Sequence, residues 1–129
     1  MKLLLDTQIL LWAAARAELL SERARQLLTD EANEIYFSPV SLWEVTIKNS
    51  LNRPDFQVDP RSLRSQLLER TYHEIAITGL HAIAVGDLPP LHKDPFDRLL
   101  LAQAKTEGLS LVTADSTLSA YPAPVIPVR

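Results

Sequence analysis

The sequence predicts an α/β fold: three layers, with a short, mostly parallel central sheet of four or five strands and helices on both of its faces. Three observations lead there. Short β-rich or apolar runs alternate with longer segments whose apolar residues recur every three or four positions, the rhythm of strand–helix–strand units in parallel sheets. The first run, Leu3-Leu4-Leu5, has no polar member, as expected of a strand covered on both faces. The helical segments open on a repeated start signal, an N-cap residue followed by proline, in Ser38-Pro39, Asp59-Pro60 and Asp94-Pro95. With 129 residues the chain has the size of a single domain, residues 1–129, able to bury one core. Right-handed crossovers are then nearly obligatory, and a site is expected beyond the carboxyl ends of the strands.

In order, Lys2 to Leu5 reads as the first strand. Asp6 or Thr7 caps a helix from Gln8 to about Ala15. Ser21 opens a second helix with Ala24, Leu27 and Leu28 on its inner face. Ile35-Tyr36-Phe37 is the second strand, and Ser38-Pro39 starts a helix from Val40 to about Ser50. Asn52 to Asp59 is a polar loop. The helix after Asp59-Pro60 carries Leu63, Leu67 and Leu68 as its apolar stripe. Glu74 to Ile77 is a third strand, Thr78 to Val85 a helix, and Asp87 to Lys93 a loop with two prolines. Leu109 to Thr113 is the fourth strand and Asp115 to Ala120 a helical turn. Val125-Ile126, set between prolines, can only be a short edge strand.

Between that loop and the fourth strand lies the most fully specified helix, from Pro95 to about Glu107. Asp94 caps it, Pro95 takes the first helical position, and Gly108 ends it as a C′ glycine. Asp97 falls in the first turn and shares a face with Leu101 and Ala104, while Arg98, Ala102 and Lys105 share another. With Asp94 already capping, the helix start does not require an acid at position 97.

Composition excludes several classes. No cysteine is present, so there is no disulfide or thiolate metal site, a usage that suits a reducing cytoplasm. No run of 18 apolar residues exists, so no membrane span is expected, and Asp6 interrupts the N-terminal apolar run too early for a signal peptide. The net charge of −3 argues against a nucleic-acid footprint built on bulk charge. Neither GxxxxGK[ST] nor GxGxxG occurs, so no nucleotide cofactor is expected.

Asp6 follows the first strand and Asp115 the fourth, so both belong at the carboxyl edge of the sheet. Asp97 begins the helix that feeds the fourth strand. Glu44 stands among Leu42, Trp43, Val45 and Ile47, where a charge is unexpected without a partner. Four acids from four segments can therefore converge. Bare carboxylates repel and are costly to bury, and a hard divalent cation with oxygen ligands removes that conflict. One or two such ions can activate water and stabilise charge on a phosphodiester.

The segments Met1 to Thr7, Ser41-Leu42-Trp43-Glu44-Val45, Asp94 to Ala104 and Leu111 to Asp115 together resemble the PIN domain, and more narrowly the toxin nucleases of VapBC-type toxin–antitoxin pairs. No single segment is specific; the ordered set is, and it spans nearly the whole chain. The resemblance implies a Mg²⁺- or Mn²⁺-dependent endoribonuclease on an α/β/α fold, cytoplasmic, homodimeric, and partnered by an antitoxin protein. It carries the catalytic and metal-binding acids onto Asp6, Glu44, Asp97 and Asp115, with supporting hydroxyls at Thr7 and Thr113. Asp94 has no counterpart and stays a cap. The expected substrate is RNA with a single-stranded loop, hydrolysed to leave a 5′-phosphate, because no histidine pair is placed for metal-free acid–base chemistry.

Lys93 and Arg98 are candidate phosphate contacts beside that helix start, with a solvated loop as the alternative for Lys93. His92 is either a phosphate contact or part of a solvated loop. Arg53, Arg61, Arg64 and Arg70 are either an RNA-facing patch or an ordinary solvated face. Trp12 and Trp43 lie on apolar faces and suit core or interface packing better than base stacking. The apolar helix surface at Leu10, Leu11 and Trp12 is the candidate dimer or antitoxin surface. Two competing functions predict other patterns. A phospho-receiver signalling domain needs an acid pair after the first strand, an Asp after the third and a late lysine, and all three are missing. A non-catalytic binding module with the same fold predicts lost ligands, yet the four acids are present.

Overall fold

The structure, a computed structural model, describes residues 1–51, 54 and 57–129. Strand β1 (Lys2–Leu5) lies at the centre of a five-stranded sheet. It pairs in parallel with β2 (Glu34–Phe37) on one side, Leu3 beside Ile35, and with β4 (Ser110–Thr113) on the other, Leu4 beside Leu111. β3 (His73–Glu74) adds to β2 and β5 (Val125–Pro127) to β4, both parallel, giving the order β3-β2-β1-β4-β5. The winding direction reverses between β1 and β4, so the switch point of the sheet lies there.

Period-two alternation divides the strands between two cores. Leu3, Leu5, Ile35, Phe37 and Val112 face one core with Ile9, Leu10 and Ala13 of α1 (Thr7–Ala15), Ala24 of α2 (Glu22–Thr29) and Leu63 and Leu67 of α4 (Pro60–Glu69). Leu4 and Leu111 face the other, with Leu100, Leu101 and Ala104 of α6 (Pro95–Glu107) and Leu118 of α7 (Ser116–Ser119). Helix α3 (Pro39–Ser50) supplies Val45 to the first core and Val40 to the second. The expected layers and parallel sheet are present. Among the described residues no helix is long and apolar enough to cross a membrane.

Several expectations need correction. The third strand stops at Glu74 instead of running to Ile77. The carbonyls of Ile75 and Ala76 accept hydrogen bonds from Nε2 of the fully buried Gln103, at 3.0 and 3.2 Å, so a side-chain amide on α6 replaces further ladder bonds. Leu68 is exposed and only Leu63 and Leu67 form the buried stripe of α4. Of the expected surface at Leu10, Leu11 and Trp12, Leu10 is fully buried, while the half-buried Leu11 and Trp12 line a surface cavity. A further outward apolar surface lies on α3 and α5 (Gly79–Ala84), where Trp43, Ile47, Leu80 and Ile83 are exposed and Trp43 stands edge-on to Phe96 with ring centroids 5.0 Å apart. The predicted loop residues Asn52, Arg53, Asp55 and Phe56 lie outside the described residues.

Gly108 has φ +71°, and its N–H bonds the Ala104 carbonyl to close α6. A Cβ there meets open space, so Gly108→Ala isolates the backbone strain of the left-handed conformation. We expect a loss of about 1 kcal/mol in a urea titration, with an unchanged slope. Thr71, at φ 64°, takes the corresponding position after α4 without being glycine.

Candidate metal centre

The end of β1 places Asp6, which does two jobs. Its Oδ1 accepts the Ile9 N–H at 2.8 Å and so caps α1, while its Oδ2 accepts a short hydrogen bond from the Thr113 hydroxyl on the neighbouring strand. The Thr113 oxygen also accepts the Asp115 N–H at 3.0 Å, tying the ends of β1 and β4 together across the switch point. Asp115 caps α7 through the Thr117 N–H, 2.8 Å from its Oδ1. Thr7 donates to Ser41 Oγ at 2.9 Å and so links the start of α1 to α3. On α3, Glu44 is 6% exposed. One of its oxygens, Oε2, is 2.9 Å from Lys48 Nζ, one helical turn on. The other, Oε1, is buried with no hydrogen-bond partner among the described residues. Asp97 enters from α6, whose start is held by Asp94 accepting the N–H groups of Phe96 (2.8 Å) and Asp97 (3.3 Å).

These side chains converge. A cavity of about 270 Å³ is lined by Asp6, Thr7, Glu44, Lys48, Asp94, Asp97 and Asp115 among others. The four acids expected to act together therefore share one cavity at the carboxyl edge of the sheet. Their charges disturb one another as proximity requires. Burial pushes Asp6 up to about 6, with Asp115 and Glu44 adding to the rise and the Thr113 and Ile9 bonds opposing it. Burial likewise pushes Asp97 up to about 7, reinforced by Asp94, Asp6 and Glu44. Asp115 lies below the ordinary carboxylate range. Its slight burial works upward, but the hydrogen bonds from His92 and the Thr117 N–H outweigh it.

The donor set fits a hard divalent cation: carboxylate oxygens only from the four acids, crowded, with one of them an orphaned buried oxygen. An unpaired buried acceptor is costly, and a cation is a group that would satisfy it.

Two members of the neighbourhood were not assigned a role at the acids from sequence. His92 Nε2 is 2.9 Å from Asp115 Oδ2 and 3.3 Å from Asp97 Oδ2, and these three residues form a group with metal-ligand spacing. Lys48 reaches Glu44 from the next turn of α3, an i,i+4 spacing that the sequence does contain. The two candidate phosphate contacts differ. Lys93 is exposed and does not line the cavity. Arg98 turns its guanidinium onto backbone carbonyls, Pro89 at 3.0 Å and Val85 at 3.1 Å. Arg64 pairs with Glu74 through two bonds of 2.9 and 3.0 Å, so it belongs to no open basic patch.

The raised acids set a pH dependence. In metal-free protein, folded Asp6 and Asp97 keep protons that the unfolded chain has already released, between the ordinary value of 3.8 and about 7. The unfolded state binds fewer protons there, so stability falls as pH rises through this window. Thermal melts in EDTA should show a lower Tm at about pH 7.5 than at about pH 5, and Asp97→Asn should remove part of the drop. An equal pH response in wild type and variant would contradict the placement of Asp97 among the acids.

Comparison with known proteins bears on the family and the fold. The sequence profile of the PIN domain matches residues 3–124. Ribonuclease VapC22 of Mycobacterium tuberculosis is 31% identical over 125 residues, covering 95% of each chain. Among solved structures, VapBC2 of Rickettsia felis bound to a promoter DNA fragment superposes with a TM-score of 0.70 at 19% identity, covering all of both chains. A toxin–antitoxin complex from Klebsiella pneumoniae gives a TM-score of 0.64 at 23% identity, covering 95% of this chain and 94% of that one. At these identities the solved structures speak for the fold alone.

Proposed function

This chain belongs to the PIN domain family, and from that premise we propose that it is a metal-dependent endoribonuclease acting as the toxin half of a toxin–antitoxin pair. The observation that carries the proposal is the convergence of Asp6, Glu44, Asp97 and Asp115 on one cavity, with a buried oxygen of Glu44 that has no donor among the described residues. The ribonuclease relative, 31% identical along the same length, supports the reaction class. Solved toxin–antitoxin complexes with the same fold support the partner.

In this reading Asp6, Glu44, Asp97 and Asp115 hold Mg²⁺ or Mn²⁺. Bound there, the cation neutralises the acids, lowers the pKa of water and stabilises charge on a phosphodiester. The chain's own side chains set the stage. Thr113 fixes Asp6 and the Asp115 backbone in one hydrogen-bonded unit, and Thr7 fixes α1 against α3. Lys48 balances part of the charge of Glu44. With a net charge of −3 the protein attracts little duplex by bulk charge, so recognition is local and favours unpaired bases in a structured RNA. The products carry 5′-phosphate and 3′-hydroxyl ends. The protein works in the cytoplasm as a homodimer, with the exposed apolar residues of α3 and α5 as the surface to cover.

The test is cleavage of a structured RNA by purified protein in Mg²⁺, with an EDTA control and end-group analysis. Metal-dependent cleavage yielding 5′-phosphates supports the proposal. Full activity in EDTA, or 2′,3′-cyclic phosphate ends, refutes it.

A further inference from the structure

His92 sits in the loop before α6 with every polar atom engaged. Its backbone N–H donates to Tyr121 Oη at 2.8 Å, and its carbonyl lies 3.5 Å from Arg98 Nη1, which also reaches Tyr121 Oη at 3.2 Å. The ring is therefore anchored through its own backbone. Its Nδ1 accepts the Asp94 backbone N–H at 3.0 Å. An amide N–H can only donate, so Nδ1 must present a lone pair and the ring proton must sit on Nε2. That nitrogen faces Asp115 Oδ2 at 2.9 Å and Asp97 Oδ2 at 3.3 Å. It therefore hydrogen-bonds Asp115 and stands beside Asp97, an acid from a different segment.

The spacing of His92, Asp97 and Asp115 also suits direct metal ligation by the histidine. The hydrogen bonds argue against it. A ligating Nε2 needs its lone pair, which moves the proton to Nδ1, where it would meet the Asp94 N–H head on. Ligation therefore requires the loss of one backbone hydrogen bond and a shift of a loop that Tyr121 and Arg98 hold in place.

We propose that His92 is a positioning residue: its Nε2–H holds the Asp115 carboxylate beside Asp97 in a convergent arrangement for the cation, and the ring does not itself ligate the metal. Outer partners of this kind orient ligating carboxylates, and their loss typically weakens metal binding roughly 10–100-fold. The inference rests on the metal-dependent reading of the acidic cavity, except for the ring tautomer, which is a property of the metal-free protein.

The test has two arms. In the metal-free protein, long-range ¹⁵N NMR should find the proton of the neutral His92 ring on Nε2. A neutral ring with its proton on Nδ1 overturns the inference whatever metals do. In the second arm, Mn²⁺ binding is followed by the EPR signal of the free ion, and pulsed EPR looks for directly coordinated nitrogen. The wild type should bind Mn²⁺ with no such nitrogen. His92→Ala should bind roughly 10–100-fold more weakly. His92→Gln, whose amide can donate to the Asp115 carboxylate, should recover most of the affinity. Strong nitrogen coupling in the wild type, unchanged affinity in His92→Ala, or failure of His92→Gln to recover overturns the positioning role while leaving the metal site standing. Absence of Mn²⁺ binding by the wild type overturns the metal-dependent reading and this role with it, even where the tautomer is as expected.

Discussion

Asp97→Asn is expected to abolish RNA cleavage while leaving the protein folded and, without metal, more heat-stable than the wild type. The helix that carries Asp97 does not depend on its charge. Asp94 caps α6 by accepting two backbone N–H groups, and Pro95 occupies the first helical position. Asparagine keeps the shape of the side chain. What disappears is one negative charge from a cavity that also holds Asp6, Glu44, Asp94 and Asp115. Burial and these like charges push Asp97 up to about 7, so its ionised form is held at a cost near neutral pH. Removing it should raise the Tm in EDTA by about 3–6 °C, on the order of 1 kcal/mol. With metal present, the same charge is a ligand. Its loss should lower the cleavage rate by about 10³-fold, more than the roughly 10–100-fold of an outer partner. Melts in EDTA and cleavage rates in Mg²⁺ check the two halves separately. A variant that cleaves at the wild-type rate removes Asp97 from the catalytic set, and a lower Tm in EDTA removes the charge-crowding argument.

The parts of this molecule that were legible in the sequence are those written locally. Asp94-Pro95 and Gly108 bound α6 because capping, proline tolerance and left-handed backbone are properties of single residues. Leu3-Leu4-Leu5 declares a strand with both faces covered because alternation sends neighbours to opposite cores. Asp6 and Asp115 follow strands, and the switch-point rule brings them together without any coordinates. What stayed hidden depends on contacts distant in sequence. β3 ends early because Gln103, on a helix far along the chain, takes the carbonyls that a longer strand would offer. Trp43 lies on an apolar face of α3, and periodicity cannot tell a core face from one open to a partner. His92 matches no ligand motif, since its partners are fixed by a loop fold rather than by a spacing. The signal available was indirect: a histidine in a proline-containing loop that runs into an acidic helix start.

Arg98→Ala is expected to cost about 2–4 kcal/mol of stability, and this separates the role visible in the fold from the phosphate contact that its position suggested. A substrate contact predicts an unchanged Tm and a raised KM. The structure gives the guanidinium a different occupation. Nη1 donates to Pro89 O at 3.0 Å and Tyr121 Oη at 3.2 Å, while Nη2 donates to Val85 O at 3.1 Å and Leu88 O at 3.4 Å. One side chain thereby closes the whole connection from α5 to α6, a stretch with two prolines and little ladder bonding of its own. Hydrogen bonds to a charged donor contribute about 1.5–3 kcal/mol each in isolation, and a shared set adds to less than its sum. Alanine leaves several carbonyls to find water and frees the loop that seats His92. Lysine keeps the charge but not the planar fork, so Arg98→Lys should lie between the two. A urea titration orders the three proteins: wild type, then Arg98→Lys, then Arg98→Ala. Cleavage by Arg98→Ala should fall mainly through kcat, because the acids and His92 lose their fixed spacing while RNA contacts elsewhere remain. An Arg98→Ala protein as stable as the wild type, with its defect confined to KM, would return Arg98 to the substrate.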